Sequence, residues 1–198
     1  MELIIIRHGL PLTVEKEDGT AADPELSPEG VQQAAKMADW MQSEKLDVLY
    51  CSPMKRALMT AEPLAKIKNL EMQIEPGVAE IDQHSSSYVP MEEIKEKHPE
   101  QWQQIIEDGV DKTFNAIGNV ELFREKVVKT IETIIDANKG KRVAVVCHGG
   151  IINVWAAHIL GIKNPLFFAP DYTSINRFMA SSSGVHSLKS LNEAGHLR

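Results

Sequence analysis

A chain of 198 residues, 43% hydrophobic and 25% charged, has ordinary globular composition and enough length to bury one sizeable core, so a single domain over residues 1–198 is expected. The formal net charge of -7, with Lys and Arg gathered into no block, argues against a nucleic-acid partner; any anion has to be bound locally. No apolar run approaches the roughly 20 residues that span a bilayer, and Arg7 interrupts the N-terminal apolar run where an export signal would continue, so no membrane partner and a cytoplasmic location are expected.

Residues 3–6 form a continuous, Ile-rich apolar run that suits a strand covered on both faces, and it ends at Arg7-His8-Gly9. The polar stretch 15–24 reads as flexible. Ser27-Pro28 supplies an N-cap with proline at the first helical position, and Val31, Ala34, Ala35, Ala38 and Met41 then recur at helical spacing. A second strand is expected over 46–51. Ser52-Pro53 repeats the cap-and-proline signal before a helix carrying Ala57, Leu58, Ala61, Leu64 and Ala65, which Pro63 should kink or divide. Residues 71–75 suit a short strand and 81–89 are irregular and polar. Residues 91–114 read as helical, with Ile94, Trp102, Ile105 and Ile106 on their apolar side. The segment at about 82–118 is taken as a cap insertion over the core; a lid over the pocket or the contact of a homodimer would use the same residues.

Asn119 caps a long helix that buries Phe123, Val127, Ile131, Ile134 and Ile135 and closes at Asn138-Lys139-Gly140. Residues 143–147 form another buried strand, ending at His148-Gly149-Gly150, and 151–160 a helix. Residues 174–181 and 185–191 make a hairpin around Ser182-Ser183-Gly184. Strands alternating with helices predict an α/β fold: a three-layer sandwich whose central sheet, mostly parallel, is flanked by helices. Cys51 and Cys147 end apolar runs and read as reduced, buried thiols.

In such a sheet, ligands bind beyond the carboxyl ends of the strands, and three of those ends carry the candidate chemistry. Two of the junctions open helices, whose first N–H groups point toward an anion placed there. Arg7 and Arg56 present planar forks of donors that match phosphate oxygens. A lone histidine ending a buried strand is ordinarily a core residue bonded to backbone. Here there are two, His8 and His148, each followed by a glycine, Gly9 or Gly149, that lets a phosphate approach the backbone. A neutral imidazole at His8 can attack phosphorus without a separate strong base.

Arg7-His8-Gly9, Ser52-Pro53-Met54-Lys55-Arg56-Ala57 and Cys147-His148-Gly149-Gly150, in this order and about 50 and then about 90 residues apart, resemble the signature elements of the histidine phosphatase (phosphoglycerate-mutase-like) superfamily. The resemblance implies that His8 becomes a phosphohistidine while Arg7, Arg56 and His148 hold the phosphoryl oxygens. It also implies a carboxylic acid near the start of the insertion, where Glu80 is chosen over Asp82. Leu10-Pro11 departs from the Glu-Thr or Glu-Ser usual after the first motif, and the glycine and Trp-Glu-Gly that often follow the acid are missing; both departures bear on the substrate. His84 and Tyr88 follow Glu80 and would reach a substrate, or lie in solvent. Asn176 falls where the family often brings a last strand past the pocket. The remaining histidines show no metal-ligand spacing, and neither a metal nor another cofactor is required. The expected activity is metal-independent hydrolysis of a small phosphomonoester. The alternatives are a phosphoglycerate-type mutase and a catalytically silent module that senses a phosphorylated ligand.

Overall fold

Three consecutive isoleucines and the alternating residues of a second apolar run determine where the core divides. The computed structural model describes residues 1–108, 110–164 and 166–198, apart from the side chains at 92, 106, 108, 110, 111, 113 and 114. Ile106, expected on the apolar side of the insertion, is among those outside the description. Strand β1 (Glu2–Arg7) pairs in parallel with β6 (Arg142–Cys147), which pairs in parallel with β3 (Val48–Cys51), and β4 (Met72–Ile74) extends that edge. On the other side of β1 the hairpin of β7 (Ile175–Ala180) and β8 (His186–Glu193) runs antiparallel, giving the order β4-β3-β6-β1-β7-β8.

Because side chains alternate along a strand, Leu3, Ile5, Val143 and Val145 face one way and Ile4, Ile6, Ala144 and Val146 the other. The first set packs on helices α6 (Val120–Ala137) and α7 (Gly149–Leu160), through Phe123, Val127, Ile131, Ile151 and Trp155. The second packs on α1 (Pro28–Trp40) and α2 (Lys55–Lys68), through Met37, Ala38, Ala57, Ala61 and Leu64. Burying each isoleucine side chain on this two-sided sheet contributes roughly 1.5–3 kcal/mol. The α/β three-layer sandwich expected from the sequence is the fold observed.

Ser27 caps α1 as expected, its hydroxyl accepting from the Gly30 amide at 3.0 Å. The buried stripe of that helix differs in phase from the expectation: Gly30, Ala34, Met37, Ala38 and Met41 are inside, while Val31 and Ala35 are exposed. The reason is Gly30, whose bare Cα lets the helix lie against the backbone of Leu10; apolarity alone does not register it. At α2 the cap is Met54, and Pro63 sits inside a single continuous helix. Residues 15–24 are tied down more than expected, since β2 (Val14–Glu15) pairs with β5 (Ser87–Tyr88) and the Ala22 amide reaches the Ser85 carbonyl. Residues 91–117 form three short helices, α3 (Met91–Lys97), α4 (Pro99–Asp108) and α5 (Val110–Ile117). Among the described residues no helix is long and apolar enough to cross a membrane.

Candidate active site

Parallel register brings the motifs together. Arg7 lies opposite Cys147 and Cys51 opposite Val146, so three adjacent strands deliver Arg7-His8, Ser52 and His148 side by side at their carboxyl ends. The His8 and His148 ring centroids are 5.1 Å apart and both residues are buried. His8 Nδ1 lies 2.8 Å from the Gly9 carbonyl oxygen, which can only accept, so Nδ1 carries the proton and Nε2 of the neutral ring keeps its lone pair. Burial, then the charges of Arg56 and Arg7, hold the pKa of His8 well below its ordinary value. The same causes, burial first, keep His148 neutral.

His148 Nε2 meets the Ser52 hydroxyl at 2.7 Å, and its Nδ1 is buried without a partner among the described residues. Ser52 therefore supports the second imidazole instead of capping α2, the role its Ser-Pro signature suggested. Arg56, wholly buried in the first turn of α2, has one guanidinium nitrogen, Nη2, on both carboxylate oxygens of Asp82 at 2.8 and 3.1 Å. Its Nε and Nη1 are buried without an acceptor among the described residues. Arg7 donates from Nη1 to the Pro170 carbonyl at 2.5 Å and lies 3.8 Å from the ring centroid of Tyr172.

Glu80 comes from the loop after a short 3-10 turn (Pro76–Val78). Its two oxygens accept from the Gly150 amide at 2.8 Å and the Ile81 amide at 3.0 Å. Burial, with the nearby Asp82 charge second, raises its pKa, so this carboxyl is the one disposed to hold a proton. Asp82 is occupied by Arg56.

The glycines divide the work differently from the expectation. A Cβ on Gly9 would meet the Gly30 carbonyl oxygen at 2.6 Å, so its bareness serves the junction with α1. At Gly149 a Cβ would make only ordinary contacts at 3.6 Å, whereas at Gly150 it would collide with the Glu80 carboxylate. Asn176 is buried and bonds to the Ile5 carbonyl and the Asn192 amide, a cross-sheet brace. Tyr88 lies over Arg56, 4.6 Å from guanidinium carbon to ring centroid.

Several members of the constellation carry no motif. Thr60 accepts from the Gly9 amide at 2.9 Å and donates to the Arg56 carbonyl; its place one turn after Arg56 on the same helix is the only sequence signal for it. Asn153 accepts from the amides of Phe167 and Phe168 and donates to the carbonyls of Gly149 and Phe168, fastening the 166–172 loop beside the pocket. Tyr172, against Arg7 and 5.8 Å from the His8 ring, sits on that loop with nothing in its surroundings to mark it. Cys51 and Cys147 are free and buried in opposite layers, with the Cys51 thiol pushed up to about 12 by burial, so neither is a reactive thiolate.

Paired imidazoles, paired guanidiniums and a protonatable carboxyl are thus gathered at one edge of an α/β sandwich. Residues 3–193 match the model of the histidine phosphatase superfamily (branch 1), and the chain belongs to that superfamily. It is 30% identical to phosphoserine phosphatase 1 of Hydrogenobacter thermophilus, over 85% of this chain and 81% of the relative. It is 28% identical to phosphoglycerate mutase-like protein 4 of Arabidopsis thaliana, over 76% and 67% of the two chains. Among solved structures it resembles phosphoserine phosphatase from Entamoeba histolytica in complex with 3-phosphoglyceric acid, with a TM-score of 0.76, 25% identity and coverage of 100% and 99%. At the level of enzyme class, a phosphatase is the reading these relatives favour over a mutase or a silent sensor.

Proposed function

We propose that the protein hydrolyses a small phosphomonoester through a phosphohistidine on His8, with O-phosphoserine the first substrate to test because relatives of this chain are named for it. The observation that carries the reading is the set of buried nitrogens without a partner among the described residues, the donors Arg56 Nε and Nη1 together with His148 Nδ1, gathered beside His8 Nε2 with its lone pair. Leaving such groups unpaired costs about 1–3 kcal/mol each, which a phosphoryl group's oxygens would repay.

In the first step His8 Nε2 attacks phosphorus and the ester P–O bond breaks, while Glu80 gives its proton to the departing oxygen. In the second, water attacks the phosphohistidine, Glu80 takes a proton from it, and the N–P bond breaks to release phosphate and restore the neutral ring. The Gly9 carbonyl holds Nδ1–H throughout, so Nε2 is the reacting nitrogen in both steps. Negative charge spread over the equatorial oxygens is met by Arg7, Arg56 and His148, already fixed in place. The segment 82–118 is read as the cap that selects the rest of the substrate, since Asp82 and Tyr88 at its start both touch Arg56.

Incubation with O-phosphoserine is expected to release inorganic phosphate and leave acid-labile, base-stable label on His8, and His8→Ala to abolish turnover. Undiminished turnover by His8→Ala, or label mapped to a serine, rejects the mechanism. Release from another phosphomonoester but not from phosphoserine changes the substrate alone.

A further inference from the structure

Residues 171–174 make a turn in which the Ser174 amide donates to the Asp171 carbonyl at 3.1 Å. Its third residue, Thr173, has φ +56° and is wholly buried. That position in such a turn is normally glycine or asparagine, because a β-branched residue is strained in the left-handed region. The turn lies directly on the pocket. Its Thr173 amide donates to the His8 carbonyl at 3.2 Å, its Ser174 carbonyl accepts from the Arg7 amide at 3.1 Å, and its Tyr172 ring lies on the Arg7 guanidinium.

What holds Thr173 there is the C-terminal segment. The threonine hydroxyl donates to the Tyr172 carbonyl at 2.7 Å, so its contact with His196 Nε2 at 2.9 Å requires the imidazole to donate. His196 is buried on a short 3-10 turn (Gly195–Leu197) against Trp40, with ring centroids 6.3 Å apart. A Cβ on Gly195 would lie 3.3 Å from the Trp40 ring, so the turn is seated closely on the end of α1.

We propose that Thr173 and His196 are positioning residues: the His196–Thr173 hydrogen bond keeps a strained turn in the one conformation that pins the peptide of the nucleophile, His8, from the side opposite β6. The His8 amide is held by the Cys147 carbonyl at 2.9 Å and its carbonyl by Thr173, so the ring has a fixed base only while both ends are held. The catalytic consequence rests on His8 being the nucleophile; the positional one does not.

Thr173→Val keeps the shape and removes the hydroxyl, His196→Phe keeps a ring and removes the donor, and His196→Gln retains an N–H near the original Nε2. Two measurements separate the ideas: pre-steady-state labelling of His8 from p-nitrophenyl phosphate, and nitrogen NMR of the His8 ring in phosphate-free protein. Thr173→Val and His196→Phe are expected to slow labelling about 10- to 100-fold, the loss typical of a nucleophile slightly misplaced, and to shift the His8 ring resonances. His196→Gln is expected to recover most of both. Thermal melting, followed in parallel, is expected not to order the variants by labelling rate. Wild-type labelling and resonances in Thr173→Val and His196→Phe overturn the proposal. So does a labelling loss in all three variants that tracks melting temperature without rescue by glutamine. Wild-type protein that takes no phosphate onto His8, with resonances that still move in Thr173→Val, rejects the phosphohistidine and supports the positioning.

Discussion

Glu80 and Asp82 are two residues apart in one loop, yet their surroundings give them different chemistry. Asp82 neutralises a buried guanidinium, whereas Glu80 accepts two backbone amides in a site that burial makes hostile to its charge. A carboxyl kept protonated by burial suits a general acid. Glu80→Gln is therefore expected to slow phosphohistidine formation from an alkyl phosphate by roughly 10² to 10⁴-fold and from a nitrophenyl ester much less, because only the poor leaving group needs the proton. Asp82→Asn is expected to weaken inhibition by inorganic phosphate with no such leaving-group dependence. Equal slowing of both esters by Glu80→Gln assigns the acid elsewhere. The glycines supply a second comparison. Gly150→Ala pushes a methyl into the Glu80 carboxylate, the flexible end of a side chain, so turnover with the alkyl ester is expected to fall while melting temperature holds; Gly149→Ala, with room at 3.6 Å, is expected to be milder in turnover. The reverse order of the two alanine variants contradicts this account of why the motif ends in two glycines. Both histidines and both arginines were legible as residue types at strand ends. The division of labour between Gly149 and Gly150 was not, because it depends on a carboxylate arriving from 70 residues away.

At the scale of elements, the sequence was most readable where one physical signal acted alone. The apolar runs gave the central strands, and Asn119 with its periodic apolar partners gave α6, whose expected buried set is buried in full. Reading failed where two roles competed for one residue. Ser52-Pro53 carries the signature of a helix start, but the serine hydroxyl is engaged by His148 and the helix begins later, after Met54. Tertiary packing likewise set the phase of α1 through Gly30, and the two-residue pairing of β2 with β5 is too short to leave a periodic signal. Asn153 belongs to the same class of hidden residue: it looks like a polar interruption on α7 and acts as the fastener of the 166–172 loop, which supplies the Pro170 carbonyl to Arg7. Asn153→Ala leaves the Phe167 and Phe168 amides without their acceptor. It is expected to destabilise the protein by about 1–3 kcal/mol per group left buried and unpaired. Because the loop also steadies Arg7, inorganic phosphate is expected to inhibit this variant less well than wild type. Loss of stability with phosphate inhibition unchanged would separate the loop from the pocket.

For the molecule as a whole, the two ends of the sheet carry opposite electrostatic designs. At the amino end of β1, Glu2 meets Arg142 and Lys189, and Arg177, midway along β7, is held by Glu44 and Glu193. At the carboxyl end, neutral imidazoles and a protonatable carboxyl are buried beside two guanidiniums, so this end links folding to pH. His8 and His148 have pKa values below the ordinary 6.5 in the folded protein, so between the folded value and 6.5 the unfolded chain binds more protons. Their contribution to stability is present above pH 6.5 and is lost as pH falls, by up to about 1.4 kcal/mol per pH unit for each proton involved. Glu80 has the opposite sign: its raised pKa contributes stability fully present below the ordinary 4.5 and lost as pH rises through the folded value. His196, buried outside the pocket, has the sign of the other histidines, so a pH profile of the wild type alone cannot be assigned to the pocket. His8→Asn isolates the contribution of His8, since the amide can still donate to the Gly9 carbonyl but does not titrate. Melting temperature is expected to fall from pH 7 to pH 5.5 in the wild type and to fall less steeply in His8→Asn. Inorganic phosphate at 100 times its dissociation constant is expected to add about 2.7 kcal/mol to the wild type at constant pH, and the same concentration much less to Arg56→Ala, in which the buried guanidinium donors proposed to receive it are gone. Parallel pH slopes in wild type and His8→Asn would show that His8 is not held neutral by the fold, and equal stabilisation of Arg56→Ala by phosphate would place the anion outside this pocket.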